Sequence, residues 1–156
     1  FRSSRDRQPL LKTFTMAIRM LNLDEKYARD MVDHALAEDP NECCGILAGK
    51  NGEVDKIYRM VNTESSPYRY NLDPQEQIQV DRDISDTGRK MMAIYHSHTH
   101  SEAYPSATDI RLANPWYTDI VYILVSLLTR ENPPIRAFRI ESGAAIEEEV
   151  RITKTS

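Results

Sequence analysis

Cysteine is scarce in this chain of 156 residues, and the two it has, Cys43 and Cys44, are neighbours. Adjacent cysteines cannot build a disulfide framework, and nothing else points to an oxidising compartment, so a reducing cytoplasm is the expected setting. Long apolar runs are missing as well. The longest, 120–125, falls far short of the roughly 20 residues that cross a bilayer, and no membrane contact is expected. A basic stripe is lacking too: the formal net charge is −4 and no Lys or Arg cluster stands clear of Asp and Glu, which argues against a nucleic-acid partner. Internal repeats and low-complexity segments are absent.

What is present is the composition of one ordinary domain, 40% hydrophobic and 28% charged, large enough to bury a core. The head of the chain differs in kind. Arg2, Arg5, Arg7, Lys12 and Arg19 face only Asp6, a net charge of +4 over the first twenty residues against −8 over the rest. Residues 1–19 are read as an extension, upstream sequence or disordered, with an organellar presequence as the rival reading. The domain is 20–156.

Apolar residues recur at helical spacing over 24–38, with Asp24 or Asn22 placed to cap the start. Asp39-Pro40 ends that helix, and 42–49 reads as a short buried strand entered through Glu42. Asn51-Gly52 predicts a tight turn into an antiparallel return over 54–61. After a loop, 68–72 reads as a short extended piece and 73–87 as a helix capped by Asp73, opened by Pro74 and closed by Gly88. A buried strand opens at 93 and gives way at His96 to a polar loop, then come a short helix over 108–114 ended by Pro115 and strands over 119–127, 135–141 and 144–152, the last two joined at Ser142-Gly143. The expected fold class is α/β, a single-domain, mixed, mostly antiparallel sheet flanked by helices, without the βαβ repeat of a nucleotide fold.

Chemistry concentrates where the strand that opens at 93 turns polar. Three of the four histidines are His96, His98 and His100, and the stretch reads H-x-H-x7-S-x-x-D through Ser106 and Asp109. On an extended backbone His96 and His98 leave the same face and can converge on one ion. Asp109 falls in the first turn of the helix that Ser106 caps. Two imidazoles and a carboxylate suit Zn2+ and leave a coordination place open. His100 shares the spacing, yet a fourth ligand would close the site, so it is read as a neighbour of the site or a surface residue. A hydrolytic zinc needs a carboxylate to take a proton from water and deliver it to the leaving amine, and Glu42, at the head of an apolar strand, is the choice. Ser106 has two roles open to it, helix cap and hydrogen-bond donor to an oxyanion. Cys43 and Cys44 are read as small buried residues, and Tyr104 and Trp116 as groove walls or ordinary core and rim.

Glu42 in ECCGILAG, followed by HSHTHSEAYPSATD with His96, His98, Ser106 and Asp109, resembles the JAMM (MPN+) zinc metallopeptidases. The stretches 62–74 and 101–106 look like the compact bacterial members that trim sulfur carrier proteins, and the resemblance spans roughly 20–150. It implies the MPN/JAB fold, of cytidine-deaminase-like architecture, with His96, His98 and Asp109 on one Zn2+, Glu42 as general base and Ser106 steadying the oxyanion. It implies as substrate a ubiquitin-like sulfur carrier protein with a Gly-Gly tail, cut from cysteine or another amine. It also leaves a homodimer open. Thr99 stands where many members, the eukaryotic deubiquitinases among them, have proline; it keeps the ligand spacing. The chain is also too short for the insertions with which those enzymes grip ubiquitin. The rivals are a non-catalytic MPN scaffold, which would have lost ligands, a deubiquitinase-like isopeptidase, and a zinc deaminase, which needs a C-x-x-C that the chain lacks.

Overall fold

In the computed structural model the described residues are 20–154, so the expected extension over 1–19 lies outside them. Among the described residues the strands are β1 (Met20–Asp24), β2 (Cys44–Lys50), β3 (Glu53–Met60), β4 (Lys90–His98), β5 (Val121–Ser126), β6 (Ile135–Glu141) and β7 (Ala144–Thr153). The helices are α1 (Glu25–Glu38), α2 (Pro74–Asp86) and α3 (Ala107–Leu112). Hydrogen bonding orders the strands β1-β3-β2-β4-β5-β6-β7, a mixed sheet in an α/β domain. β2–β3, β2–β4, β5–β6 and β6–β7 are antiparallel, and β4–β5 is parallel.

The sheet closes on itself, which the sequence reading did not anticipate. β1 pairs in parallel along β7 and touches β3 through Asn22 and Glu53, so the two ends of the ladder meet. β1 escaped notice because five residues are too few for a period-2 pattern to separate from the helix that follows. Leu21 and Leu23 nonetheless point inward, and Asp24 ends the strand by capping α1, its carboxylate accepting from the Lys26 N–H at 2.9 Å.

Helices cover the central strands from both sides. Ala28, Met31 and Ala35 of α1 pack on Cys43, Leu47, Ala93, Tyr95, Ile123 and Val125. On the other face Val80 and Ile84 of α2 join Cys44, Ile46, Ala48, Ile94 and Tyr122. Strands buried on both faces carry continuous apolar runs instead of alternation, which is why β2 reads as unbroken Cys-Gly-Ile-Leu-Ala. Each aliphatic side chain so buried contributes about 1.5–3 kcal/mol. His34, on α1, is buried among these residues and its Nδ1 meets the Tyr95 hydroxyl at 2.7 Å.

Both tight turns match their residues. Asn51 and Gly52, with φ of 53° and 78°, join β2 to β3, and Ser142 and Gly143, with φ of 50° and 75°, join β6 to β7. The left-handed pair follows the twist of the strands it connects. The short extended piece read at 68–72 joins no sheet ladder and is tied to the chain by a single bridge between Asn62 and Leu72. At Gly49, where the β2–β3 register shifts, an added Cβ would lie 1.8 Å from the Glu53 carbonyl oxygen and 2.9 Å from the Met92 sulfur, whereas at Gly52 it would meet nothing within 4 Å. Gly49→Ala is therefore expected to cost more than Gly52→Ala, about 1–3 kcal/mol or more against about 1 kcal/mol, in urea unfolding monitored by circular dichroism.

Candidate metal centre

The register of β2 against β4 sets the site. Cys44 lies opposite His96, and the ladder continues past the named strand end, with the Ser97 N–H donating to the Cys43 carbonyl at 3.1 Å and the Cys43 N–H donating to Ser97 Oγ at 2.8 Å. Glu42 then leaves the ladder, its N–H donating to the Ser66 carbonyl at 2.9 Å, and its carboxyl lies near enough to feel the charges of His98 and Asp109. Residues directly opposite in an antiparallel pair share a face, so Cys44 and His96, and His98 two residues on, look toward the α2 side.

Asp109 reaches the same point from the other direction. Ser106 and Asp109 form a reciprocal cap at the start of α3: Ser106 Oγ accepts from the Asp109 N–H at 3.0 Å, and Asp109 Oδ2 accepts from the Ser106 N–H at 2.8 Å. That same Oδ2 lies 3.2 Å from His96 Nε2 and 3.1 Å from His98 Nε2, and the two imidazole nitrogens are 3.2 Å apart. The three atoms form a nearly equilateral triangle. A tetrahedral ion with bonds of about 2.0–2.1 Å spaces its ligands about 3.3–3.4 Å apart, so the group fits one divalent cation with almost no rearrangement. His98 is oriented by its other nitrogen, where Nδ1 donates to the Glu102 carbonyl at 2.8 Å and leaves Nε2 directed at Asp109.

The motif reading missed two residues that hold this arrangement. Tyr70 stacks on the His96 ring, centroids 4.3 Å apart, and its loop is tied down by Asn62. The Asn62 amide donates to the carbonyls of Glu42 and Arg69, both at 3.0 Å, and accepts from the N–H groups of Glu64 at 3.0 Å and Asn71 at 3.1 Å. Only the clustering of Asn, Ser and Pro in 62–67 hinted at a structured loop.

The comparisons with known proteins bear on the same stretch. The family model described as prokaryotic homologs of the JAB domain matches residues 24–141. The chain belongs to this JAB family. It is similar to the CysO-cysteine peptidase of Mycobacterium tuberculosis, 40% identical over 147 residues that cover 93% of this chain and 98% of that protein. The desampylase of Haloferax volcanii is 34% identical over 108 residues, 64% of this chain and 76% of that one. Among solved structures, protein DSY2949 from Desulfitobacterium hafniense superposes with a TM-score of 0.78 at 32% identity, covering 88% of this chain and 94% of the other.

In this JAB domain the electrostatics of the site follow from burial. Burial works to raise Asp109, but hydrogen bonds from His96, His98 and the Ser106 N–H outweigh it and hold the carboxyl well below the usual carboxylate range. Burial lowers His96; it also opposes the charging of His98, where Asp109 and the Glu102 carbonyl prevail and raise it. Donors competing for protons in this way release them to a bound cation. Glu42 is only 3% exposed, and its Oε1 has no hydrogen-bond partner among the described residues. Burial pushes its carboxyl up to about 8, with His98 opposing the rise and Asp109 adding to it.

The other candidates sort themselves by position. His100 lies beyond the end of β4, exposed, with Nδ1 2.8 Å from Thr99 Oγ1 and its ring against Tyr68, and it is not among the three converging ligands. Thr99 also donates to the Pro67 carbonyl at 3.2 Å, lashing the strand end to the 62–72 loop. Cys43 and Cys44 are buried on opposite faces, with thiols pushed up to about 11 and about 12 by burial. Tyr104 packs edgewise on Phe138, and Trp116 is 87% exposed, so neither walls the cleft beside Asp109. That cleft, of about 180 Å³, is walled by Tyr70, Tyr117 and Tyr122.

The raised Glu42 carboxyl has a consequence for stability. Between its ordinary range and about 8, the folded chain holds a proton that the unfolded chain has released, so stability falls as pH rises across that window. In chelator-treated protein, urea midpoints are expected to drop between about pH 5 and about pH 8 more steeply for wild type than for Glu42→Gln. Parallel profiles would show that Glu42 is not held in this environment.

Proposed function

We propose that this JAB domain is a zinc-dependent peptidase of the cytoplasm that hydrolyses the amide bond following the C-terminal Gly-Gly of a ubiquitin-like sulfur carrier protein, releasing cysteine or another amine. The observation that carries the reading is the convergence of His96, His98 and Asp109 beside a buried carboxyl, Glu42, that lacks a partner among the described residues. The relatives support the substrate class: one, 40% identical and covered over 98% of its length, is a CysO-cysteine peptidase, and another is a desampylase.

His96 Nε2, His98 Nε2 and one Asp109 oxygen would hold the zinc. Zinc there supplies Lewis acidity, polarising the scissile carbonyl and making water easier to deprotonate near neutral pH. Glu42 takes the proton from the attacking water and hands it to the leaving amine. A carboxyl whose proton affinity is raised toward neutrality suits both halves of that transfer. Ser106 Oγ already accepts the Asp109 N–H, which leaves its hydroxyl hydrogen free to donate to the oxyanion. Tyr70 and Asn62 keep the His96 ring and the Glu42 backbone in register.

Purified protein is expected to hold about one zinc per chain by elemental analysis, and removal of the metal by a chelator to abolish hydrolysis. Glu42→Gln keeps the zinc and loses on the order of a hundredfold or more in turnover. Ser106→Ala gives up about 1 kcal/mol of helix capping and loses more in turnover than in zinc affinity. The direct test incubates the zinc-loaded protein with carrier proteins ending in Gly-Gly-Cys or joined through Gly-Gly to lysine, and weighs the products. Protein unable to retain zinc at neutral pH, or inert toward both, overturns the reading.

A further inference from the structure

The cleft beside Asp109 has a second end. Among the residues that line it, only Asp109 and Arg69 are charged, and the Asp109 carboxylate is already committed to the two histidines and the Ser106 N–H. Arg69 is different. Arg29, Arg59, Arg89, Arg130, Arg136 and Arg139 each close an ion pair with an Asp or Glu, whereas Arg69, Arg82, Arg111 and Arg151 close none among the described residues, and of these four Arg69 is the one that lines the cleft. Its backbone is nonetheless fixed, because its carbonyl accepts from the Asn62 amide at 3.0 Å. An arginine left unpaired in an acidic chain, pinned at the wall of a cleft that opens beside the candidate metal ligands, is placed to receive an anion.

The size of the cleft limits what that anion belongs to. At about 180 Å³ it is smaller than a pocket for a drug-sized ligand and accommodates about one amino-acid residue. We propose that this cleft takes the leaving side of the scissile bond, and that Arg69 recognises the free α-carboxylate of a single C-terminal amino acid there. The proposal rests on the peptidase reading above and narrows it. Hydrolysis breaks the C–N bond after the second glycine; the water oxygen goes to the glycyl carbonyl, its protons to the new carboxyl and the departing amine, and the amino acid leaves with its own carboxylate intact. A lysine side chain in an isopeptide carries no carboxylate near the scissile nitrogen and leaves Arg69 without a partner. Arg69 is thus a specificity residue that separates removal of one terminal amino acid from cleavage of protein conjugates.

The test uses the zinc-loaded full chain and a small ubiquitin-like carrier ending in Gly-Gly-Cys, prepared with either a free C-terminal carboxylate or a carboxamide. Wild type is expected to favour the carboxylate by about two- to fivefold, mainly in KM, as fits one charge-assisted pair at an exposed arginine. Arg69→Ala loses that preference, and Arg69→Lys keeps part of it. Binding provides a second readout: Glu42→Gln titrated calorimetrically with both carriers shows the same preference, and the double variant with Arg69→Ala does not. Equal cleavage of both carriers by wild type, or a preference that survives Arg69→Ala, overturns the assignment of Arg69 and leaves the peptidase reading standing. Failure of wild type to cleave either carrier overturns both.

Discussion

A single oxygen, Asp109 Oδ2, is where the structure's long-range and local constraints meet. It accepts the Ser106 N–H that starts α3 and faces both imidazole nitrogens at the end of β4. Local chain geometry therefore fixes the position of a helix, and the helix fixes the third corner of the triangle. A carboxylate in the first turn is also favourable for the helix itself, since it lies against the exposed N–H groups there. The hydrogen bonds that cap α3 are thus the same ones that set the third corner of the site, and the short helix has no buried residue of its own.

The opposite wall is built by sheet register. β2 and β4 are central strands, covered by α1 on one face and α2 on the other, so their pairing cannot slip by one residue without turning both faces inside out. That constraint is what sets Cys44 across from His96 and sends Cys43 and Cys44 into different packing layers. The apolar core thus serves as the ruler for the polar centre, and the buried Glu42 carboxyl is tolerated because the surrounding strands are too well specified to move away from it.

Much of this was legible in the chain because it is local. The H-x-H pair, the Ser106 cap and the Asp109 carboxylate lie within one short stretch, and the alternation of a strand and the first turn of a helix are enough to bring them together. Glu42 was legible by contrast, as an acid at the mouth of an apolar run. The turns at Asn51-Gly52 and Ser142-Gly143 declared themselves through residues that tolerate positive φ. What escaped depends on distant partners. β1 has its meaning only beside β7, at the other end of the domain, and Tyr70 only beneath the His96 ring. The 68–72 stretch has strand-like residues, but its backbone groups are taken by the Asn62 side chain, so side-chain hydrogen bonds displaced the ladder that its composition suggested.

Asn62 uses every hydrogen-bonding valence its amide has, two as donor and two as acceptor. A carboxylate of the same shape, the product of spontaneous deamidation, could keep the two accepted bonds but would turn an anion toward the carbonyl oxygens of Glu42 and Arg69. Chemical ageing at one loop side chain would then loosen, in a single step, the footing of the buried acid and of the ring that shelters an imidazole, with no change to His96, His98 or Asp109.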